Sequence, residues 1–195
     1  MLFRRSGDLT GLASSFRGEA LMLYDSRRFD EALALNAEAE QVFRTMGHWD
    51  GLASTLSSRA VIQIGATRLD DALASLSEAE QLFRRMGDLE GLGTCIDNRA
   101  NILGEHGRLA EALAAHREAE ALFRQTGMVE GVANSLSSQA YCLWKLGMPK
   151  DGLPILREAR KLALSRGFYA RANKILIMLE AVRKAAGEAP GHEQT

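Results

Sequence analysis

The residues best able to do chemistry in this 195-residue chain are four histidines and two cysteines, and their spacing matches no catalytic or metal-binding pattern. The histidines are scattered, without the H-x-x-x-H or Cys/His spacing that a tetrahedral zinc site needs. No G-x-x-x-x-G-K-[ST] or G-x-G-x-x-G motif follows a predicted strand to cradle a phosphate. We therefore predict a protein that is not an enzyme and that has no metal site and no cofactor. The residues are His48, His106, His116, His192, Cys95 and Cys142.

The remaining reactive groups have structural explanations. Carboxylate pairs such as Asp70 and Asp71 fall in a predicted first helical turn, where the helix dipole stabilises negative charge. Cys95 and Cys142 fall on apolar-periodic helices, so both are predicted to be buried thiols. Unpaired cysteines fit a reducing cytoplasm. The sequence has no apolar run long enough to predict a membrane span, and its first residues do not resemble a signal peptide.

The elements that must position any site recur every 40 residues. EAEQVFRTMGHWDGL at 38–52 recurs as EAEQLFRRMGDLEGL at 78–92 and as EAEALFRQTGMVEGV at 118–132. A degraded copy, REARKLALSRGFYAR, occupies 157–171, and a truncated one, MLFRRSGDLTGL, occupies 1–12. A fixed period of this size predicts stacked supersecondary units in one array. The glycines that keep the register are Gly7, Gly47, Gly87, Gly127 and Gly167.

Each period contains two amphipathic helical patterns and no strand. Apolar residues from Leu69 to Met86 recur at i, i+3, i+4 and i+7, which is one face of a helix. Gly87 can end that helix in the left-handed conformation, and Asp88 can accept the free N–H groups that begin the next one. Pro149 suits a first helical turn. The predicted helices are 8–26 with 29–46, 48–65 with 69–86, 88–106 with 109–126, 128–146 with 149–166, and a single last helix over 168–186.

Small residues recur where helices must approach one another closely. Alanines recur at a 40-residue spacing at one position of the first helices and at two positions of the second helices, and Gly152 replaces one of these alanines in the fourth unit. A phenylalanine near the end of the second helix is predicted to fill the gap to the next unit. These residues are Ala20, Ala60, Ala100, Ala140, Ala32, Ala72, Ala112, Ala39, Ala79, Ala119 and Ala159, with Phe43, Phe83 and Phe123.

With alanines at these offsets and a Gly-Asp turn, the helix pairs resemble tetratricopeptide (TPR) repeats. The 40-residue period is similar to the longer variant of LGN/Pins-type adaptors, and similar arrays occur in sensor regions of bacterial signalling NTPases and transcription regulators. The resemblance implies an all-α, right-handed α-solenoid of antiparallel helix pairs. Its domain would be one array of about four and a half repeats over residues 1–186, followed by a disordered tail at 187–195.

The resemblance also implies that the first helices line a concave groove that binds an extended or helical peptide. Tyr141 and Trp144 are the expected anchors, since large amphipathic rings contribute much of the energy of binding; the alternative is that they pack against the last helix. The residues in phase with such a groove are Ser14, Arg17, Leu21, Tyr24, Ser54, Ser57, Val61, Ile64, Thr94, Asp97, Asn101, Gly104, Asn134, Ser137, Tyr141 and Trp144.

Two family-specific binding modes can be compared with these residues. Asn98 and Asn101 match the N-x-x-N pair with which LGN-type repeats hold the ligand backbone, and only the third unit has it. The clamp that binds chaperone C-termini needs several Lys and Asn residues, whereas Arg17 is alone in its part of the groove. A chaperone C-terminus is therefore not the expected partner.

The two ends of the chain suggest further interactions. Lys174–Val182, KILIMLEAV, is apolar on nearly every side, whereas a terminal repeat helix needs a polar outer face to remain soluble. We predict self-association or domain docking through this helix. Met1–Phe3 matches the end of a second helix whose beginning is absent. The self-association residues are Ile175, Leu176, Ile177, Met178 and Leu179.

Charge is unevenly distributed along the chain. Residues 1–140 have a net charge of −6 and residues 141–187 a net charge of +7, within an overall −1. The first functional hypothesis is a non-catalytic scaffold that binds a partner protein or peptide in the groove. The alternatives are a regulatory or sensor arm of a larger signalling NTPase or transcription regulator, a self-assembly module, and nucleic-acid binding through the basic end, which would weaken steeply with salt.

Overall fold

The computed structural model describes residues 9–188, and these form nine α-helices. No strand occurs between residues 9 and 188. The all-α prediction is confirmed, with every helix within one or two residues of its predicted bounds. The N-terminal copy before residue 9 and the predicted tail after residue 188 lie outside the described residues. The helices are α1 Leu9–Asp25, α2 Phe29–Met46, α3 Trp49–Gly65, α4 Leu69–Met86, α5 Leu89–Glu105, α6 Leu109–Thr126, α7 Val129–Lys145, α8 Pro149–Ser165 and α9 Tyr169–Ala186.

The chain divides into two compact units, with the boundary between Asn98 and Arg99 inside α5. In the first unit, α1 packs on α2, α2 on α3, and α3 on α4. In the second unit, α6 packs on α7, α7 on α8, and α8 on α9. The connections between helices are two or three residues long, and such short connections join antiparallel neighbours.

The helix ends follow the local chemistry read from the sequence. Gly87 ends α4 with φ of 73°, and the Asp88 N–H donates to the Phe83 carbonyl. Asp88 Oδ1 then accepts from the Gly91 N–H at 3.0 Å, as predicted for the start of α5. One repeat earlier, His48 takes this position, and its Nδ1 accepts from the Gly51 N–H at 3.0 Å. An imidazole nitrogen therefore replaces the carboxylate at this cap.

Thr67 lies in the turn between α3 and α4 with φ of 59°, a left-handed backbone conformation that is costly for a residue with a branched Cβ. The corresponding turns of the next two repeats have Gly107 and Gly147. We expect Thr67→Gly to raise the free energy of unfolding by about 0.5–1 kcal/mol, because glycine adopts this conformation without strain. Urea unfolding followed by circular dichroism measures the change. Ala66→Gly is the control; its φ is −84°, so glycine there should destabilise, and equal effects at 66 and 67 would refute the strain argument.

The small residues predicted at helix contacts are all fully buried, as are the three phenylalanines. The phenylalanine rings lie directly on a glycine of the following first helix, eight residues later. A Cβ built on Gly51 would lie 2.5 Å from the Phe43 ring, one on Gly91 2.4 Å from Phe83, and one on Gly131 2.6 Å from Phe123. These glycines therefore serve repeat packing, whereas the sequence had suggested only helix ends.

Gly152 has a packing role that the sequence did not reveal. A Cβ at this position would lie 3.1 Å from the Ala140 carbonyl oxygen and 3.4 Å from its Cα. The glycine therefore permits a close approach of α7 and α8, in addition to its weak helix propensity. Pro149 occupies the start of α8, as predicted, and Pro154 lies inside the same helix.

Candidate functional site

A candidate site in the described part of the second unit is an open pocket of about 600 Å³ between α7 and α9. α7 contributes Asn134 and Ser137, which lie one turn apart on the face predicted to line a groove. α9 contributes Lys174 and Met178, again one turn apart. The volume is in the range of sites that hold a small molecule or a few peptide side chains. The remaining lining residues are Glu130, Gly167, Phe168, Tyr169, Ala170, Arg171 and Ile175.

One ion pair crosses the pocket. Arg171 on α9 donates from Nη2 to Glu130 Oε1 on α7 at 2.6 Å, which holds the first turns of the two helices together. The sequence allows this pair because Arg171 stands where earlier repeats have the ring-contacting glycines, and Ala163 stands where they have phenylalanine. A bulky side chain can occupy position 171 because no ring lies over it.

Lys174 is the second cation of the pocket. It is exposed, and no hydrogen bond or ion pair joins it to any residue between 9 and 188. The pocket therefore has two positive side chains, Arg171 and Lys174, and one negative side chain, Glu130. Arg171 is therefore paired with Glu130, whereas Lys174 has no partner among the described residues.

Farther along α7, Tyr141 and Trp144 lie beyond the pocket. Their ring centroids are 6.3 Å apart in an edge-to-face arrangement, a favourable geometry for two aromatic rings. Lys145 Nζ lies 5.5 Å from the Tyr141 ring centroid and 5.6 Å from that of Trp144, within the range of cation–π attraction. Tyr141 is 40% exposed and Trp144 is half-buried. α7 thus presents Asn134, Ser137 and then this aromatic pair.

In the first unit, two predicted groove residues are engaged in packing. The Tyr24 ring lies 5.8 Å from that of Phe29 and packs beside the buried cluster of Ala20 and Ile62. A Cβ on Gly65 would lie 2.6 Å from the Tyr24 ring, so this ring stabilises the contact between repeats. Tyr24 therefore packs within the first unit, and its role in a groove stays a prediction.

Ser57, the second of these residues, accepts a hydrogen bond from Cys95 Sγ at 3.7 Å, which joins α3 to α5 within the first unit. Burial raises the pKa of the Cys95 thiol to about 11, which leaves little thiolate at neutral pH. Burial also raises the pKa of Cys142. Both cysteines are free and buried, as the sequence predicted.

The other predicted groove residues differ in exposure, and their role in binding stays a prediction. Asn101 in the second unit is exposed, and Ser137 is half-buried with its hydroxyl donating to the Ala133 carbonyl at 2.7 Å. Half-buried residues of the first unit are Arg17, Ile64, Asp97 and Asn98.

The last helix does not match the prediction of an apolar outer face. Ile175 and Leu179 are buried at 3% and 0% exposure, so they belong to the core of their unit, and self-association through α9 stays a prediction. Leu176 and Met178 are half-buried, which leaves Ile177, at 68% exposure, as the one strongly exposed member of the predicted set. The outer face is polar because Asn173 and Glu180 occupy positions where α7 has alanine; exposed Lys174 and Lys184 add to it.

Between residues 9 and 188 no three His, Cys, Asp or Glu side chains cluster as metal ligands would. His116 is 2% exposed in α6, so it is a packed residue. No helix in the described range has the length and apolarity needed to cross a membrane. His192 lies outside this range.

The sequence did not identify the residues that α9 brings to the pocket. The sequence predicts a groove along the first helices of four helix pairs and a single terminal helix after them, so Tyr169, Arg171 and Lys174 are not among the predicted residues. The 40-residue phase itself was a usable signal, since Lys174 is in register with the predicted groove residue Asn134. Trp49, 55% exposed at the start of α3, was likewise missed.

Comparison with known proteins gives no match to a protein-family model, and no curated protein matches the sequence significantly. Solved structures do match. A Signal Transduction ATPase with Numerous Domains (STAND) from Pyrococcus horikoshii, which has a TPR sensor, has a TM-score of 0.78 at 15% identity. The match covers 92% of this chain but only 30% of the ATPase, so this chain spans less than a third of that protein.

Two further structures match over most of their own length. A putative kinesin light chain from Podospora anserina with TPR-like repeats has a TM-score of 0.67 at 12% identity, over 93% of this chain and 99% of that one. BtubC from P. vanneervenii has a TM-score of 0.66 at 16% identity, over 99% and 88%. The fold of this chain is therefore an all-α repeat solenoid of the tetratricopeptide type. The LGN/Pins-like variant stays a prediction.

Proposed function

We propose that this chain is a non-catalytic interaction scaffold that binds a peptide segment of a partner protein on the α7 and α9 face of its second unit. The observation that carries the proposal is the 600 Å³ pocket, followed along α7 by the exposed side of Tyr141 and by Trp144. Polar groups beside apolar walls suit a peptide whose backbone is hydrogen-bonded while its side chains enter the pocket. Neither a membrane nor a nucleic acid is part of this proposal.

Selection of random twelve-residue peptides displayed on phage against the full chain tests the proposal. We expect an enriched sequence family whose synthetic, fluorescein-labelled members bind in solution. Tyr141→Ala should weaken that binding about tenfold, because exposed aromatic anchors contribute 1–2 kcal/mol or more, while circular dichroism stays unchanged. Trp49→Ala is the control: it also removes an exposed ring, but from the first unit. A selection without enriched sequences, or equal losses in both variants, would contradict the proposal.

A second candidate is that the chain is the sensor or regulatory arm of a larger signalling protein. It is favoured by the match to the TPR sensor of the P. horikoshii ATPase, of which the matched region is 30%. An antibody raised against the purified chain, used on an extract of the native cells, distinguishes the two cases. A band well above 21.3 kDa supports the arm, and a single band at 21.3 kDa excludes it.

A further inference from the structure

We propose that the pocket between α7 and α9 binds the side chain of an aspartate or glutamate at an internal position of the bound peptide, and that the Lys174 ammonium pairs with its carboxylate. The inference rests on the proposed function, because it specifies which peptides that same face would select. It follows from the charge balance of the pocket, from the free hydrogen-bond donors in it, and from the position of Lys174 between two apolar walls.

The charge balance favours an anion. Glu130 is the one carboxylate among the lining residues, and it is held by Arg171 at 2.6 Å. Lys174 has no such partner in the described range of residues 9–188. An exposed cation without a partner, on the wall of an open pocket, favours an anion as the ligand of that pocket.

The available donors also suit a carboxylate. The Asn134 side chain on α7 faces the pocket and has no hydrogen-bond partner among the described residues. Ser137 is different, because its hydroxyl hydrogen is used by the Ala133 carbonyl. An ammonium group on α9 and an amide N–H on α7 can bind the two oxygens of one carboxylate, and hydrogen bonds of this charged type are the stronger ones.

The apolar surfaces beside Lys174 favour an internal acidic residue of the peptide over a C-terminal carboxylate as the bound group. Tyr169 lies more than a turn before Lys174 on α9, and Met178 lies a turn after it, so apolar surface is present on both sides of the ammonium. A peptide with an internal acidic residue places a side chain on each of these surfaces. A C-terminal carboxylate would fill only one of them. The expected ligand is therefore an acidic residue flanked by large apolar residues.

The phage selection described above, repeated with charge variants, tests the inference. Wild-type protein should enrich peptides with Asp or Glu between apolar residues, and Lys174→Glu should instead enrich Lys or Arg at that place. Lys161→Glu is the matched control, because Lys161 is an exposed lysine of the neighbouring helix α8 that does not line the pocket. It should leave the acidic preference intact.

A double-mutant cycle in solution makes the test quantitative. Replacing the selected Asp by Asn in a fluorescein-labelled peptide should weaken binding to the wild type about tenfold, the effect of one charged hydrogen bond. The same replacement should have no effect on Lys174→Met, because the partner charge is gone. Amidation of the peptide C-terminus should leave the affinity unchanged.

The outcomes separate this inference from the proposed function. Enriched peptides without an acidic residue, or an acidic preference that survives Lys174→Glu, would overturn the role of Lys174 while leaving peptide binding in place. Loss of binding on amidation would overturn the internal acidic residue in favour of a terminal carboxylate. A wild-type selection without any enriched family would overturn both.

Discussion

Gly131→Ala is expected to lower the free energy of unfolding of the second unit by about 2 kcal/mol, although alanine is normally the better helix former. A Cβ at position 131 would lie 2.6–2.8 Å from three atoms of the Phe123 ring. The ring cannot move aside cheaply because Phe123 is only 3% exposed. Overpacking of a dense core typically costs about 1–3 kcal/mol.

The same substitution at Gly18 provides the matched control. Gly18 lies inside α1, and a Cβ there meets nothing within 4 Å. Gly18→Ala should therefore stabilise the first unit by about 0.5–1 kcal/mol through helix propensity alone. We therefore expect Gly131→Ala to lower the free energy of unfolding and Gly18→Ala to raise it. Equal effects of the two substitutions would show that contact with the Phe123 ring is not the cause of the Gly131 effect.

The measurement uses the two tryptophans of the chain, of which each unit has one. In a Trp49→Phe background, Trp144 fluorescence in urea reports the second unit; in a Trp144→Phe background, Trp49 reports the first. A second variant tests the mechanism of the Gly131 effect. Phe123→Ala should itself destabilise by about 3–4 kcal/mol, and adding Gly131→Ala to it should cost nothing further because the ring is gone.

Asn36→Leu is expected to raise the free energy of unfolding of the first unit by about 2 kcal/mol. Asn36 lies in α2 with no exposed surface, and neither its Nδ2 nor its Oδ1 has a hydrogen-bond partner within the described residues. A buried amide without partners costs about 1–3 kcal/mol. The same repeat position has Leu76 in α4 and Leu156 in α8, both at 0% exposure, so the fold accepts leucine there.

The reverse change is the control for this prediction. Leu76→Asn should destabilise the first unit by about 3–4 kcal/mol, since it removes a buried apolar side chain and buries an amide. Urea unfolding followed by Trp49 fluorescence measures both variants. If Asn36→Leu is less stable than the wild type, the buried Asn36 amide stabilises the first unit, and the argument from its missing hydrogen bonds is wrong.

Several contacts within each unit could not have been found from the sequence. Gln63 Oε1 accepts from the Ser75 hydroxyl at 2.8 Å in the core, where the pattern predicted only apolar packing. Arg124 joins Glu120 on its own helix to Glu158 on α8, at 2.7 Å and 2.6 Å. Apolar periodicity shows which face of a helix is buried, but it does not show which polar groups pair across two faces.

The site was only partly foreseeable for the same reason. Asn134, Ser137 and Tyr141 are predicted to share one face from the phase of α7, because a helix repeats every 3.6 residues wherever it lies; that this face lines a groove follows from the TPR resemblance. The sequence shows that α9 has apolar residues on several sides, but it does not show which of them are covered in the folded unit. The structure buries Ile175 and Leu179 and leaves Lys174 and Ile177 exposed.

The sequence by itself determined the number, bounds and caps of the described helices and the small residues at their contacts. These features depend on local periodicity, on the turn chemistry of residues such as Gly87 and Asp88, and on a 40-residue period that repeats both. Only the tertiary structure decided that α7 and α9 enclose a pocket with one unpaired cation. Its ion pair joins Glu130 and Arg171, 41 residues apart, and a contact between two helices depends on both surfaces at once.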